Sequence, residues 1–307
     1  MEEKLPLVSI ITPSLNQGRF IEETILSVKN QTYPRIEHIV MDGGSTDGTL
    51  EILKKYSDGL VWISEPDKGQ SDAINKGWRM SKGEILAYLN SDDAYMPWAV
   101  ETAVKFFTEN PDVGMVYGKC KIINASSEVV GEIEGYQFDL RDALLHVLHG
   151  IPQPAAFLRR AVLDKVGYLD PDLHLAMDLD LWIRISLRFN MAYIPSLLAN
   201  MRFWPGTKTA SAGNRLESEH LHILDKTFTN PELPAEASTM KRRAYSWSYS
   251  RMAAWHRSQC HLVQTIKYLA MSLRLHPWPF VVMLYSYPVG KASGMIAFCR
   301  RGFRKTT

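Results

Sequence analysis

The first third of the chain alternates two kinds of segment, and that alternation limits the folds open to it. Leu7–Ile11, Glu37–Met41, Leu60–Ser64 and Glu84–Leu89 are short apolar runs of strand length. Between the first two lies RFIEETILSVKNQ, in which Ile21, Ile25, Leu26 and Val28 recur at near-helical spacing. After the second comes GGSTDGTLEILKKY, a turn cluster followed by a short helix. Strand and helix in turn predict an α/β fold, a parallel sheet covered on both faces. Such sheets bind ligands beyond the carboxyl ends of their strands. Thr12, Pro13 and Ser14, then Asp42, Glu65, and Asp92 with Asp93, all fall at those ends. One edge of the sheet is therefore expected to carry a site.

Farther along, residues 99–119 read as a helix and the strand VGMVYG, and 120–150 as irregular apart from the amphipathic LRDALLHVLHG. A helix in DLDLWIRISLRF and a strand in MAYIPSLLANMRF follow, and the pattern is mainly helical beyond Asn214. The expected organisation is an α/β domain over 1–215 and a helical, basic region over 216–307, with the charge switch and the linker-like NPELPAEAS marking a boundary near residue 236. Charge supports two parts. From Ala237 to Thr307 there are twelve Lys or Arg and no Asp or Glu, whereas residues 1–236 hold 23 basic and 33 acidic side chains. Cys120, Cys260 and Cys299 are scattered and odd in number, which fits neither a disulfide framework nor a zinc pattern, so a reducing compartment is expected. MEEKLPLVSI has no basic region followed by a long apolar stretch, so no signal peptide is expected.

Four stretches carry candidate chemistry, and each has a plainer alternative. In IVMDGGSTDGT, Asp42 suits a nucleobase imide or a ribose hydroxyl; alternatively Asp42 and Asp47 stabilise an Asx-turn and cap the next helix. In EPDKGQSDAINKG, Lys68 and backbone amides suit a phosphate, with a solvated helix start as the alternative. YLNSDDAYMP ends a buried strand in two adjacent carboxylates. Asp92 and Asp93 there suit Mg2+ or Mn2+ completed by a diphosphate; otherwise they cap a turn. In AMDLDLWIRI, Asp180 suits a helix cap, and Asp178 is free to face a cleft as a general base toward a sugar hydroxyl.

Taken in order, TPSLN, MDGGSTDGT, KGQSDAINKG, YLNSDD, IPQPA and MDLDLWIR resemble the inverting family 2 glycosyltransferases of GT-A fold, over roughly residues 6–210. The resemblance implies that the donor nucleotide meets Thr12, Pro13, Ser14, Asp42, Lys68 and Asp72. It implies that Asp92 is the metal ligand of the family's D-x-D motif, helped by Asp93, and that Asp178 is the catalytic aspartate. Asn90 stands where the motif has its first Asp. Arg202-Phe203-Trp204 does not match the Q-x-x-R-W motif of processive synthases, which implies transfer of a single sugar in glycan or polysaccharide synthesis. The expected partners are a nucleotide-sugar donor, a UDP-sugar first among them, a glycan or lipid-linked acceptor, and a divalent cation.

The last seventy residues mix aromatic and basic side chains. Trp278, Tyr285 and Tyr287, with Arg300, Arg301, Arg304 and Lys305, suit an anionic membrane surface at the cytoplasmic face; a packed helical appendage is the alternative. No nucleic-acid module is present. A non-catalytic sugar-binding or scaffold protein is the rival reading, kept open by Asn90. A nucleotidyltransferase would carry a glycine-rich basic loop after the first strand, which TPSLNQGRF lacks.

Overall fold

The computed structural model describes residues 5–147 and 150–276. β1 (Val8–Ser14), α1 (Ile21–Lys29), β2 (Ile36–Asp42), α2 (Thr49–Lys55), β3 (Val61–Ser64), α3 (Gln70–Met80) and β4 (Ile85–Tyr88) follow in the expected order. These strands lie side by side as β3-β2-β1-β4, all parallel. Strand alternation sends successive side chains to opposite faces. Ile10 packs with Val28, Ala99 and Phe107 on one face, and Val40 joins Ile21 and Ile25 there. Ile11 and Met41 face α3, so closely that a Cβ on Gly77 would lie 2.4 Å from Ile11. β1 runs three residues beyond the expected Ile11, taking in Thr12, Pro13 and Ser14. Its pairing with β4 ends at Ile11, so Pro13 borders β2 alone, a position that tolerates a missing N–H.

The sheet continues through β5 (Ala94–Tyr95), β6 (Val113–Ile123), β7 (Val129–Ile133), β8 (Ala156–Arg159) and β9 (Asn190–Arg202), with α4 (Ala99–Glu109), α5 (Leu140–Leu145), α6 (Arg160–Val166) and α7 (Met177–Ser186) between them. Beyond β4 the order is β8-β6-β9-β5, with β7 also on β6. β8 runs antiparallel to both neighbours, and β6 and β9 are parallel. The β6–β7 hairpin replaces part of the irregular stretch expected over 120–150. Its turn has neither Gly nor Pro; Asn124 Oδ1 instead accepts the amides of Ser126 (2.8 Å) and Glu128 (3.1 Å).

Two compact units result. One comprises Met1–Phe138 and Gly150–Pro205, the other Asp139–His149 and Gly206–Thr307. The division falls ten residues before the expected 215/216, and α5 joins the second unit. There α8 (Arg215–Phe228), α9 (Ala235–Ser238), α10 (Lys241–Ser258) and α11 (Leu262–Leu275) follow, and Leu144 and Leu145 pack with Leu224, Ala237 and Ala244. No helix among the described residues is long and apolar enough to cross a membrane. The residues expected to meet lipid, Trp278 to Lys305, lie outside the described residues.

Thr12 was expected at the nucleotide; its side chain is instead fully buried, with Oγ1 3.0 Å from His38 Nε2. Burial holds the His38 imidazole neutral, its pKa pushed down to about 4. The unfolded chain takes up that proton near the ordinary value, about 6.5. Stability from this group is therefore complete above that value and is lost as pH falls toward 4. Chemical denaturation across pH 7 to 4 should show wild type losing about 3 kcal/mol more than His38→Gln. Equal acid sensitivity of the two proteins would contradict a neutral buried imidazole.

Candidate active site

The end of β4 is where distant motifs converge. Asn90 Oδ1 accepts Gln70 Nε2 (2.6 Å), and its Nδ2 donates to Asp93 Oδ2 and to Gln153 Oε1 (both 3.1 Å). Gln153 in turn donates to the Tyr88 carbonyl at 2.9 Å. Gln70 belongs to KGQSD and Gln153 to IPQPA, so two motifs brace the NSDD turn. The amide at position 90 has a local reason. It donates to the Asp93 carboxylate, where an aspartate would bring two carboxylates face to face.

Asp93 does not face outward with Asp92. It is 2% exposed and accepts the Arg202 backbone N–H at 2.8 Å. Burial pushes its pKa well up, and the charge of Asp92 adds to the shift. Asp93 was expected to help hold a cation; in the structure it anchors the turn. Asp92 is partly exposed; burial raises its pKa, and the Trp204 side chain and the Arg202 charge counter that in part. One outward carboxylate beside a diphosphate fits Mg2+ or Mn2+, which take few protein ligands and complete their shells with phosphate and water. Among the described residues no group of three or more His, Cys, Asp or Glu could hold a metal without such help.

Arg202 was set aside in the sequence as a motif mismatch, yet it holds this turn from below. Its side chain is 1% exposed; Nε donates to the Asp92 carbonyl (2.8 Å) and Nη2 to Glu23 (2.6 Å). Phe20 lies under its guanidinium, 4.7 Å away, and packs edge-on against Trp204. The available signal was an arginine ending a long apolar strand, which must be buried with partners.

Asp178 is the second residue of α7, partly exposed, with Oδ1 accepting the Leu179 N–H at 2.8 Å. Its charge reaches the Tyr88 phenol, which burial pushes well up and which Asp93 raises further. Met177, next to Asp178, accepts the Ser71 hydroxyl at 2.8 Å, so α7 begins against the α3 residue that follows Gln70. Asp180, expected as a helix cap, lies in the first turn of α7 and pairs with Arg184 at 2.8 Å.

At the ends of β2 and β3 the carboxylates are engaged by their own loops. Asp42 is 2% exposed, and its oxygens accept the Gly44 and Ser45 amides and the Ser45 and Ser64 hydroxyls. Three of these donors, the two amides and Ser64, meet Oδ2 and one, the Ser45 hydroxyl, meets Oδ1, so Asp42 staples the loop while Oδ1 keeps an acceptor direction for a ligand. Asp47 accepts Gly18 N and both donors of Thr49, capping α2. Asp72 accepts Lys68 N at 3.1 Å and pairs with Lys76; that amide bond holds its pKa down. Lys68 is exposed at the start of α3, while Pro13 and Ser14 are buried in β1. Leu15, which the motif reading passed over, is 53% exposed. It lies beside Gly43, where a Cβ would sit 2.8 Å from Asp67.

Residues 9–167, just over half of the chain, match the model of glycosyl transferase family 2. The chain belongs to that family. An uncharacterized glycosyltransferase of Rickettsia prowazekii is 31% identical over 264 residues, spanning 80% of this chain and 83% of that one. Two solved structures are similar in fold, each at 18% identity. S. aureus TarS 1–349 in complex with UDP-GlcNAc has a TM-score of 0.68, covering 96% of this chain and 87% of its own. Mannosyltransferase PcManGT from Pyrobaculum calidifontis, in complex with GDP-Man and Mn2+, has 0.61, covering 92% and 88%. The fold of this glycosyltransferase is GT-A-like, with a helical C-terminal region.

Proposed function

We propose that this family 2 enzyme moves a single sugar from a nucleotide-sugar donor, a UDP-sugar first among candidates, to a hydroxyl of a glycan or lipid-linked acceptor, with inversion. The observation that carries this reading is the meeting of the motifs at the β4 end: Asn90 bonds Gln70 and Gln153, and Ser71, next to Gln70, donates to Met177, the neighbour of Asp178. The nucleotide sugars bound by TarS and PcManGT support the donor class.

Asp92 would hold Mn2+ or Mg2+, which when bound neutralises charge on the departing diphosphate. Lys68 and the amides at the start of α3 suit the phosphates, and the loop stapled by Asp42 shapes the nucleoside end. Asp178 takes the proton from the acceptor hydroxyl. The hydroxyl oxygen then bonds to the anomeric carbon from the face opposite the diphosphate, and the bond from that carbon to the diphosphate oxygen breaks. Positioning and charge stabilisation supply most of the rate. The basic stretch after Ala237 suits a peripheral station on the cytoplasmic face of a membrane, close to a lipid-linked acceptor.

A panel of nucleotide sugars should reveal one donor whose nucleoside diphosphate is released in a cation-dependent way. Proton NMR of the transferred sugar should show a β linkage from an α-linked donor; an α linkage would rule out inversion.

A further inference from the structure

Helix α11 buries one side and bares the other. Thr265 and Ser272 are buried, Ser272 exchanges hydrogen bonds with Ser246 of α10, and Tyr268 and Leu269 pack on Ala253 and Ala254. On the other side Leu262 is 70% exposed, Val263 76%, Ile266 67% and Leu273 42%. With exposed Ala270 they form an apolar arc about 100° wide at helical spacing. Lys267 and Arg274, both exposed, border one edge of that arc. We propose that this face of α11 lies in an anionic lipid surface, its apolar arc among the acyl chains and its two cations at the headgroups. The proposal rests on the membrane station suggested above and names the element that makes the contact.

Charge selects the occupant. From Ala237 onward the chain has no acidic side chain, so a carboxylate partner for Lys267 and Arg274 does not come from this region. Residues 277–307 carry five further cations, and the same face of a second copy is equally basic, so both would bring like charge against it. Anionic headgroups over an apolar layer match both parts of the face. The basic, aromatic-rich sequence that follows α11 extends the same match.

The test is co-sedimentation of the full chain with vesicles of phosphatidylserine and phosphatidylcholine. Wild type should bind, more weakly as salt rises. Ile266→Asp with Leu273→Asp should weaken binding by about tenfold or more, since the apolar arc is then charged. Lys267→Glu with Arg274→Glu, at exposed positions, should weaken it severalfold with an unchanged circular dichroism spectrum. If both double variants bind like wild type while Arg300→Ser, Arg301→Ser, Arg304→Ser and Lys305→Ser together abolish binding, α11 is not the contact, though the membrane station stands. If wild type fails to bind at low salt, the station itself is wrong. A wild-type dimer in sedimentation velocity that Ile266→Asp with Leu273→Asp converts to monomer would make the face a contact between copies, overturning the proposal.

Discussion

Asp178→Asn is expected to lower the rate of sugar transfer by roughly two to four orders of magnitude, the usual worth of a positioned general base. The substitution is close to isosteric. An amide oxygen can still accept the Leu179 N–H now held by Asp178 Oδ1, so the start of α7 should remain in place. Donor affinity should therefore change little, and the loss should appear in kcat. Single-turnover kinetics with the preferred donor, beside calorimetric titration of that donor, separate the two effects. Loss of transfer with an equal loss of donor binding would make Asp178 a structural residue.

Asp92→Asn should abolish most activity by another route. Asp92 is the outward carboxylate of the NSDD turn, and Asp93 is turned inward to Arg202 and Asn90. Removing the Asp92 charge leaves a hard cation with neutral oxygens, which it binds poorly. Activity should fall about a hundredfold or more, and the Mn2+ concentration for half-maximal rate should rise. The fold should persist, because the Asp92 carbonyl keeps its bond from Arg202. Wild-type kinetics in this variant, or full activity of the native enzyme in EDTA, would contradict a cation at Asp92.

The parallel half of the sheet was legible because its strands are apolar runs interrupted by helical periodicity. β9 matched its sequence reading to within a residue at each end, despite Pro195. The β6–β7 hairpin was not legible, because its turn is made by Asn124 side-chain bonds rather than by Gly or Pro. At the site, sequence placed the carboxylates at strand ends correctly but could not say which way each would face. Asp42 turns inward mainly to Gly44 and Ser45 of its own loop, whereas Asp93 turns inward to the Arg202 amide, 109 residues away in the chain. Arg202 escaped notice for the same reason: its partners include Glu23, 179 residues away. Gln70 and Gln153 were seen as parts of motifs, and their shared purpose at Asn90 emerges only when α3 and the IPQPA segment meet the end of β4.

The central claim is that the end of β4 holds a nucleoside diphosphate through a cation at Asp92. Calorimetric titration of UDP and GDP into the full chain, with and without Mn2+, tests it most directly. The account expects saturable binding of at least one diphosphate that requires the cation, persists in Asp178→Asn and is lost in Asp92→Asn. Diphosphate binding of equal strength without Mn2+, or unchanged in Asp92→Asn, would contradict it.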